Sequence, residues 1–336
     1  MNSEGFLSLE IVPLSVFERM GKEDVLLAVQ YGAAPMAVLD PSNRLVAVPN
    51  LLIGSEPVVE VWRTAETPHR CEERSLRWSE VSSVLAGTGS CELGPDAAES
   101  AQGLIGELLG QIERRDFPYL LRTWFYVPRI NDGDGDLEIY RQFNRGRAAA
   151  FAERPGRLFA ASSAVGTPGT RLIVVFLAAK KPPCHLPNPR QVEAFEYPRQ
   201  YGSVPPSFRR ATIAPTELGG LLFVAGTASV VGHESRHPGS VSDQLDETFQ
   251  NLRVLLGQPE LRKRGFGRGL SSFGLVKVYL RDRGSYALVE RRLRKQFGGI
   301  LPYLVLEAEI CRKELLVEIE AVGFPKRDRP SGSVSA

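Results

Sequence analysis

The two halves of this 336-residue chain repeat one order of strands and helices, and this duplication limits the folds open to it. Apolar residues at every second position predict strands, and an apolar spacing of three or four predicts helices. The first half predicts strands and helices in alternation at 58–63, 97–114, 119–127, 138–153 and 171–178. The second half predicts the same alternation at 221–228, 242–256, 274–280, 285–297 and 301–322, where the last range holds two strands.

The repeat extends to individual residues. Tyr119 opens the segment Tyr-Leu-Leu-Arg-Thr-Trp, and Gly274 opens Gly-Leu-Val-Lys-Val-Tyr at the same place in the order. Duplicated units of this kind predict an α+β fold with mixed β-sheets and helices packed on one face of each sheet. Two apolar runs within 7–40 predict part of a third, degenerate unit.

A proline-rich stretch beginning at Lys181 separates the halves. Because proline cannot lie inside a helix or a central strand, we expect a linker here. The sequence therefore predicts an N-terminal domain at 1–180, a linker at 181–192 and a C-terminal domain at 193–325. The remaining 326–336 lacks apolar periodicity and is expected to be a disordered tail.

Composition narrows the class of protein. The formal net charge of +2 is too close to zero to indicate nucleic-acid binding. No basic segment precedes an apolar core at the N-terminus, and no apolar run reaches the ~18 residues of a membrane span, so we expect a cytoplasmic protein without a membrane partner. The four cysteines have no paired C-x-x-C spacing, which favours free thiols over a zinc ribbon or disulfide scaffold.

Two familiar motifs are present but are poorly placed. His233-Glu-Ser-Arg-His237 matches the zincin signature, which needs both histidines on one helical face. Gly232 precedes this segment and Pro238 follows it, so we expect a polar loop. The segment Asp132-Gly-Asp-Gly-Asp136 resembles a calcium loop but lacks its later glycine and bidentate acid, which favours a surface turn.

The last two predicted strands place acids where a core is expected. If they pair as a hairpin, one face is apolar and packs on helices: Leu304, Leu306, Ala308, Ile310, Leu315, Val317, Ile319 and Ala321. The other face carries polar groups: Glu307, Glu309, Cys311, Glu318 and Glu320. If this face is exposed to solvent, its acids indicate no function, since antiparallel sheets commonly have one polar face. Covered by another sheet, they are crowded and shifted towards protonation, as in a general acid.

Two further segments are suited to anion binding. Arg147 follows Asn144 near the start of a helical run, and an arginine with an amide can hold an anionic group by paired hydrogen bonds. The loop at 197–211 contains three prolines, two tyrosines and three arginines, among them Tyr201 and Arg210. Rigid loops of this composition commonly carry function. A surface helix and a structural linker are the alternative interpretations.

Taken together, 143–151, 197–211, the strand Phe223-Val-Ala-Gly-Thr-Ala-Ser229 and the Cys311/Glu318 segment resemble the chorismatase family over about 57–323. The units also resemble the RidA/YjgF fold, which implies a barrel-like, pseudo-trimeric core. RidA enzymes place a substrate-binding arginine just after a proline in the preceding strand, whereas this chain has Leu304 there. RidA-type imine hydrolysis is therefore disfavoured.

The resemblance implies an enzyme that converts chorismate to 3-hydroxybenzoate and pyruvate without cofactor or metal. Gly226 and Cys311 match the family members that form 3-hydroxybenzoate. The implied roles are Glu318 as general acid on the enolpyruvyl ether, Cys311 and Gly226 as determinants of product, and Arg147, Arg210 and Tyr201 as the substrate-binding set. We expect a monomer with internal pseudo-symmetry. The alternatives are hydrolysis to a dihydroxy-cyclohexadienoate, a RidA-like imine hydrolase, and a small-molecule-binding protein.

Overall fold

A computed structural model of the protein describes residues 7–32, 45–154, 159–267, 269–298 and 301–325. Three main sheets follow one another along the chain, and helices cover their outer faces. In this part of the chain, no helix is long and apolar enough to cross a membrane. The tail predicted at 326–336 lies outside the described residues.

The first sheet is built by the N-terminal part of the chain. Its elements are β1 (Ser8–Pro13), α1 (Leu14–Phe17), β2 (Val25–Tyr31), β3 (Leu45–Val48) and β4 (Val58–Arg63). The strands lie in the order β1-β4-β2-β3, and only the β2–β3 pair among these is parallel.

The second sheet follows. Its elements are β5 (His69–Glu73), β6 (Leu76–Glu80), β7 (Val84–Glu92), α2 (Ala97–Arg114), β8 (Tyr119–Pro128), α3 (Ile139–Ala152), β9 (Ala161–Thr167) and β10 (Arg171–Ala179). The strand order is β5-β6-β7-β10-β8-β9, with β8 and β9 parallel. Asp96 begins α2, because its side chain accepts hydrogen bonds from the backbone N–H groups of Ala98 and Glu99.

The third sheet repeats this plan. Its elements are β11 (Cys184–Leu186), β12 (Ala211–Ile213), β13 (Leu222–Ala228), β14 (Val230–Val231), β15 (Glu234–Ser235), α4 (Val241–Leu256), α5 (Pro259–Lys263), β16 (Phe273–Leu280), α6 (Tyr286–Phe297), β17 (Tyr303–Glu307) and β18 (Val317–Gly323). The order is β11-β12-β13-β18-β16-β17, while β14 and β15 form a separate small hairpin. Again the one parallel pair among these, β16–β17, lies at the edge.

The predicted repeat is confirmed, with one shift of its boundaries. The order β7-β10-β8-β9 recurs as β13-β18-β16-β17, and the degenerate unit has it as β1-β4-β2-β3. The strand expected to open the first full unit, Val58–Arg63, is instead the last strand of the degenerate unit. Strands β5 to β7 lie between the predicted strand 58–63 and the predicted helix 97–114, where the sequence predicted no element. The strand pattern is concealed in β5 and β6 by charged residues and in β7 by glycines and small polar residues.

The inner faces of the three sheets meet in one apolar core. Trp62 from the first sheet is buried there, and its ring centroid lies 6.4 Å from that of Trp124 of the second sheet and 6.0 Å from that of Phe223 of the third. Separate apolar clusters join the outer faces of the second and third sheets to their helices. The predicted pseudo-trimeric core is therefore present, although the sheets stay separate and form no closed barrel within the described ranges.

The predicted hairpin at the end of the chain is wrong. β17 pairs with β16 in parallel, and β18 lies on the other side of β16, between β16 and β13. Because the two strands are not neighbours, their apolar residues face different cores. Leu304, Leu306 and Ala308 enter the central core, whereas Val317, Ile319 and Ala321 pack against helices. Ile310 and Leu315 form a small cluster with the start of the β14–β15 hairpin.

The predicted linker contains structure of its own. Cys184–Leu186 forms the edge strand β11, which pairs with β12 of the third sheet. An edge strand tolerates the flanking prolines, since only one side of it is hydrogen-bonded. The domain boundary at 181–192 remains a prediction.

Candidate active site

A cavity of about 350 Å³ lies where the second and third sheets meet. It is bounded by α3 and β9 on one side and by β13, β18 and the segment 311–315 on the other. The six residues predicted from the sequence to form a site all line this cavity: Arg147, Tyr201, Arg210, Gly226, Cys311 and Glu318. Residues from distant parts of the chain thus form one concave site.

Glu318 lies on β18 with its side chain directed away from the helices, and it is buried. Of the two environments left open by the sequence, the covered one is therefore found, because the second sheet closes over this face. No hydrogen bond from a described residue reaches the Glu318 carboxyl group. The expected contact with Glu307 is absent among the described residues, since β16 separates β17 from β18.

Gly226 makes room for this carboxyl group. The register between β13 and β18 slips between Val224 and Thr227, so Gly226 lies in a bulge. A Cβ atom placed on Gly226 would lie 2.0 Å from Oε1 of Glu318. The Gly226 N–H donates a hydrogen bond of 2.9 Å to the Ser163 hydroxyl, which holds the bulge against β9.

Glu320, two residues further along β18, has strong partners. Lys277 Nζ lies 2.9 Å from one carboxyl oxygen, and Trp124 Nε1 donates to the same oxygen at 2.7 Å. Arg122 Nη2 donates to the other oxygen at 2.6 Å, and the Ser163 hydroxyl donates to that oxygen as well. These charged and polar groups are all buried, so the interactions are shielded from water.

The network continues into the first sheet. Lys277 Nζ also lies 2.9 Å from a carboxyl oxygen of Glu60 and 3.0 Å from the Tyr31 hydroxyl. Trp62 donates to the second oxygen of Glu60 at 2.9 Å. A single lysine therefore joins acids from the first and third sheets, while Arg122 joins the second sheet to the third.

These surroundings separate the two neighbouring acids. Burial, followed by the negative charge of Glu320, raises the pKa of Glu318 to about 8. Burial also disfavours the charged form of Glu320, but Lys277 and Arg122 outweigh it and hold the pKa of Glu320 below its usual value. At neutral pH the arrangement provides one protonated acid beside one carboxylate. That is the state a general acid requires.

Two buried arginines line the cavity, and neither forms an ion pair with a carboxylate in the described part of the chain. Arg147 lies in the middle of α3 rather than near its start, and it stacks over the ring of Phe125. Burial lowers the pKa of Arg147 to about 10, which still leaves it charged at neutral pH. Among the residues that the structure describes, Arg210 donates to the backbone oxygen of Val192 and to the Tyr197 hydroxyl, at 2.8 and 2.6 Å. Buried cations without counterions are costly, so this site is built for anions.

Cys311 faces the cavity next to Glu318. Burial, and then the charge of Glu318, raise the pKa of its thiol to about 12, so it is a thiol rather than a thiolate at neutral pH. Tyr140 from α3 lines the same wall. A neutral thiol with this pKa acts as a weak hydrogen-bonding group and not as a nucleophile.

The mouth of the cavity is formed by aromatic and charged side chains. The Arg312 guanidinium stacks over the Tyr201 ring with its carbon 3.8 Å from the centroid. The Tyr201 hydroxyl lies 3.4 Å from Nδ1 of His233. His233 occupies the turn of the β14–β15 hairpin, and His237 instead faces Glu247 at 3.2 Å. The prediction that this segment is not helical is confirmed.

Several residues of the site were missed in the sequence. Ser163 and Tyr140 carry no motif, and their strand and helix look ordinary. Gly133 and Asp134, predicted to form only a surface turn, line the mouth of the cavity. Arg122 and Lys277, which both contact Glu320, could have been found from the sequence, because the two cations occupy matching positions of the repeat.

Comparison with known proteins gives a consistent result. Residues 60–178 match the family model described as chorismatase FkbO/Hyg5-like, N-terminal. A 3-hydroxybenzoate synthase from Streptomyces hygroscopicus is 31% identical over 278 residues, which cover 80% of this chain and 82% of that protein. A chorismatase from the same organism is 31% identical over 332 residues, covering 94% and 96%. A crystal structure of a chorismatase, 30% identical, superposes with a TM-score of 0.87 and covers 96% of this chain and 100% of its own.

Replacing Glu318 by glutamine should stabilise the fold increasingly as pH rises. An unfolded glutamate loses its proton near pH ~4.3, whereas Glu318 in the folded protein keeps it up to about pH 8. Between these values the unfolded chain binds fewer protons, so wild-type stability falls with pH while the Gln side chain does not titrate. We expect the free energy of unfolding of Glu318→Gln, relative to that of wild type, to rise by ~2–4 kcal/mol between pH 5 and pH 8.

Urea unfolding at both pH values measures this gain. Glu309→Gln, at an exposed glutamate, is the matched control and should show no pH-dependent gain. An equal stability difference at pH 5 and pH 8 for Glu318→Gln would show that this carboxyl group is ionised in the folded protein.

Proposed function

We propose, since the chain belongs to the chorismatase family, that it converts chorismate to 3-hydroxybenzoate and pyruvate in the cavity between its second and third sheets. The observation that carries this proposal is the combination of two buried, unpaired arginines with one protonated glutamate around one cavity of about 350 Å³. Chorismate is a diacid with an acid-labile enol ether, and each of its reactive features has a partner here.

The two carboxylates of the substrate supply the missing counterions. Arg147 and Arg210 are the proposed partners, because each is buried and pairs with no carboxylate of the described residues. Tyr201, fixed by Arg312 at the mouth, is the proposed hydroxyl donor. Charge-assisted bonds of this kind offset the desolvation of a dianion, which is the main cost of binding it.

Glu318 is the proposed general acid. Its proton passes to the methylene carbon of the enolpyruvyl group, which becomes an oxocarbenium group and weakens the ether bond to the ring. That bond then breaks with its electron pair going to the pyruvate oxygen, while the ring 4-hydroxyl oxygen bonds to the same ring carbon, C3, and its proton returns to the Glu318 carboxylate. The product of this displacement is an arene oxide across C3 and C4. Cleavage of its C4–O bond, with transfer of the C3 hydrogen that restores aromaticity, gives 3-hydroxybenzoate. Chorismate contains the same atoms as 3-hydroxybenzoate and pyruvate together, so the step needs neither water nor a cofactor.

Cys311 and Gly226 are the proposed determinants of product. The thiol lies beside Glu318 in its neutral form, where it can assist the rearrangement of the ring by hydrogen bonding. Gly226 acts in part through the acid, since a methyl group there would meet the Glu318 carboxyl before it met the ring. Replacing Gly226 therefore disturbs ether cleavage as well as product choice.

Two other reactions compete with this assignment. Addition of water at the ring would give a dihydroxy-cyclohexadienoate and pyruvate, so product analysis separates the two. Imine hydrolysis of the RidA type is disfavoured, because Leu304 packs in the central core and supplies no cation to the cavity. All the proposed catalytic and binding residues come from one chain, which favours a monomer as the working unit.

The function is tested by incubating the purified protein with chorismate in the presence of a metal chelator. We expect equimolar pyruvate and 3-hydroxybenzoate, measured by enzymatic assay and chromatography. Glu318→Gln keeps the shape of the side chain but removes the proton donor, so its turnover should fall ~10²–10⁴-fold. Near-normal pyruvate release by Glu318→Gln, or activity that is lost with chelator and restored by zinc, would contradict the proposal.

Arginine binding is tested on one helix with a matched pair. Arg147→Met removes a buried cation of α3. Arg145→Met removes an exposed cation of the same helix, which pairs with Asp96 at the start of α2. Loss of a buried charge pair should raise KM by the equivalent of ~2–5 kcal/mol for Arg147→Met, with little change for Arg145→Met. Steady-state kinetics give both values, and unchanged KM in Arg147→Met would place the substrate carboxylates elsewhere.

A further inference from the structure

Two carboxyl groups lie on one face of β18, and their hydrogen bonding differs completely. Glu318 and Glu320 are two residues apart on a strand, so their side chains point the same way. Glu320 accepts bonds from Lys277, Arg122, Trp124 and Ser163, whereas no described residue donates to Glu318. Two neighbouring carboxyl groups in a buried site cannot both ionise freely, so the donors decide which one keeps a proton.

We propose that Glu320, with Lys277 as its counterion, is a positioning residue that keeps the proton on Glu318 until substrate arrives. This role rests on the proposed function of Glu318 as the acid. Glu320 does not line the cavity and does not reach the substrate. It acts through Glu318, because a second negative charge beside a fixed carboxylate is unfavourable in a buried site.

The other groups that face Glu318 do not replace this effect. They come from every element packed around it: Tyr140 of α3, Arg122 of β8, Ser163 of β9, Arg210 before β12, Tyr279 of β16 and Cys311 before β18. Arg122 and Arg210 favour the ionised form of Glu318 and so oppose its protonation. Arg122 is already bonded to Glu320, which leaves Glu320 as the source of negative charge next to Glu318.

The cation that holds Glu320 is itself fixed from another unit. Lys277 bridges Glu320 and Glu60, with 2.9 Å to an oxygen of each. Its own pKa is raised by these two acids in spite of its burial. The negative charge of Glu320 next to Glu318 is therefore held by contacts that extend to Glu60 of the first sheet.

The test is the pH dependence of kcat/KM for pyruvate release. An acid catalyst loses activity as pH rises through its pKa, so the wild-type profile should fall above about pH 8. Glu320→Gln keeps the shape but removes the charge, leaving Lys277 and Arg122 to favour the Glu318 carboxylate. We expect the falling limb to move to lower pH by ~1–3 units, with activity recovered in acid. A uniform loss at all pH values, which a merely structural role predicts, would overturn the proposal.

Two variants serve as controls. Glu60→Gln removes the same charge from the same network but on the far side of Lys277 from Glu318. The falling limb of the pH profile of this variant should therefore move much less. Lys277→Arg keeps the cation and should retain the wild-type limb. An equal shift in Glu60→Gln and Glu320→Gln would mean that only the total charge of the core matters, and the positioning role would be lost.

Infrared spectroscopy tests the same proposal without turnover. The wild-type protein should show a C=O band of one buried protonated carboxyl group at pH 7, and the band should be absent from Glu318→Gln. In Glu320→Gln the band should vanish at pH 7 and return in acid. If Glu320→Gln does not fold, the first comparison decides: a missing wild-type band, or one that survives in Glu318→Gln, overturns the proposal. Absence of chorismate turnover alongside the expected bands would reject only the proposed function.

Discussion

The bonds of Glu320 to Lys277 and Arg122 are the constraint on which the rest of this molecule depends. The acid comes from β18, the arginine from the second sheet, and the lysine reaches on to Glu60 of the first sheet. Buried ion pairs add little net stability, since desolvation cancels much of their attraction, but a broken pair is costly. Their effect here is to fix the register of three sheets whose apolar faces alone could slide against one another.

Catalytic geometry follows from this register. Ser163 donates to Glu320 and accepts from the Gly226 bulge, so the same network shapes the space that the Glu318 carboxyl occupies. One acid receives all the donors and the next receives none. The two arginines proposed to bind the substrate carboxylates, Arg147 and Arg210, come from α3 and from the segment before β12, and both line the cavity. The contacts that fix the sheets therefore lie next to those that determine the protonation of Glu318 and the proposed binding of substrate.

Periodicity predicted β8 and β10 of the second sheet, most of the third sheet and the long helices, because long apolar repeats dominate in these elements. It missed β5 and β6, which are short and charged, and β7 and β9, whose glycines and small polar residues hide the alternation. It also gave the wrong partner for the last two strands, because parallel pairing of β17 with β16 depends on tertiary contacts. The cavity residues Arg147, Arg210 and Glu318 were found through their chemistry and family motifs. Ser163 and Tyr140 were not, since a lone serine or tyrosine acquires a role only through neighbours that folding brings to it.

We propose that one cavity holds the chorismate dianion between Arg147 and Arg210 and presents its enol ether to Glu318. A crystal structure of the Glu318→Gln variant with bound chorismate tests it most directly, because the substrate survives without the acid. Our account predicts one substrate carboxylate on Arg147, the other on Arg210, and the methylene carbon in contact with the side chain at position 318. Chorismate bound at the mouth against Arg312, or with its methylene carbon turned away from position 318, would contradict it.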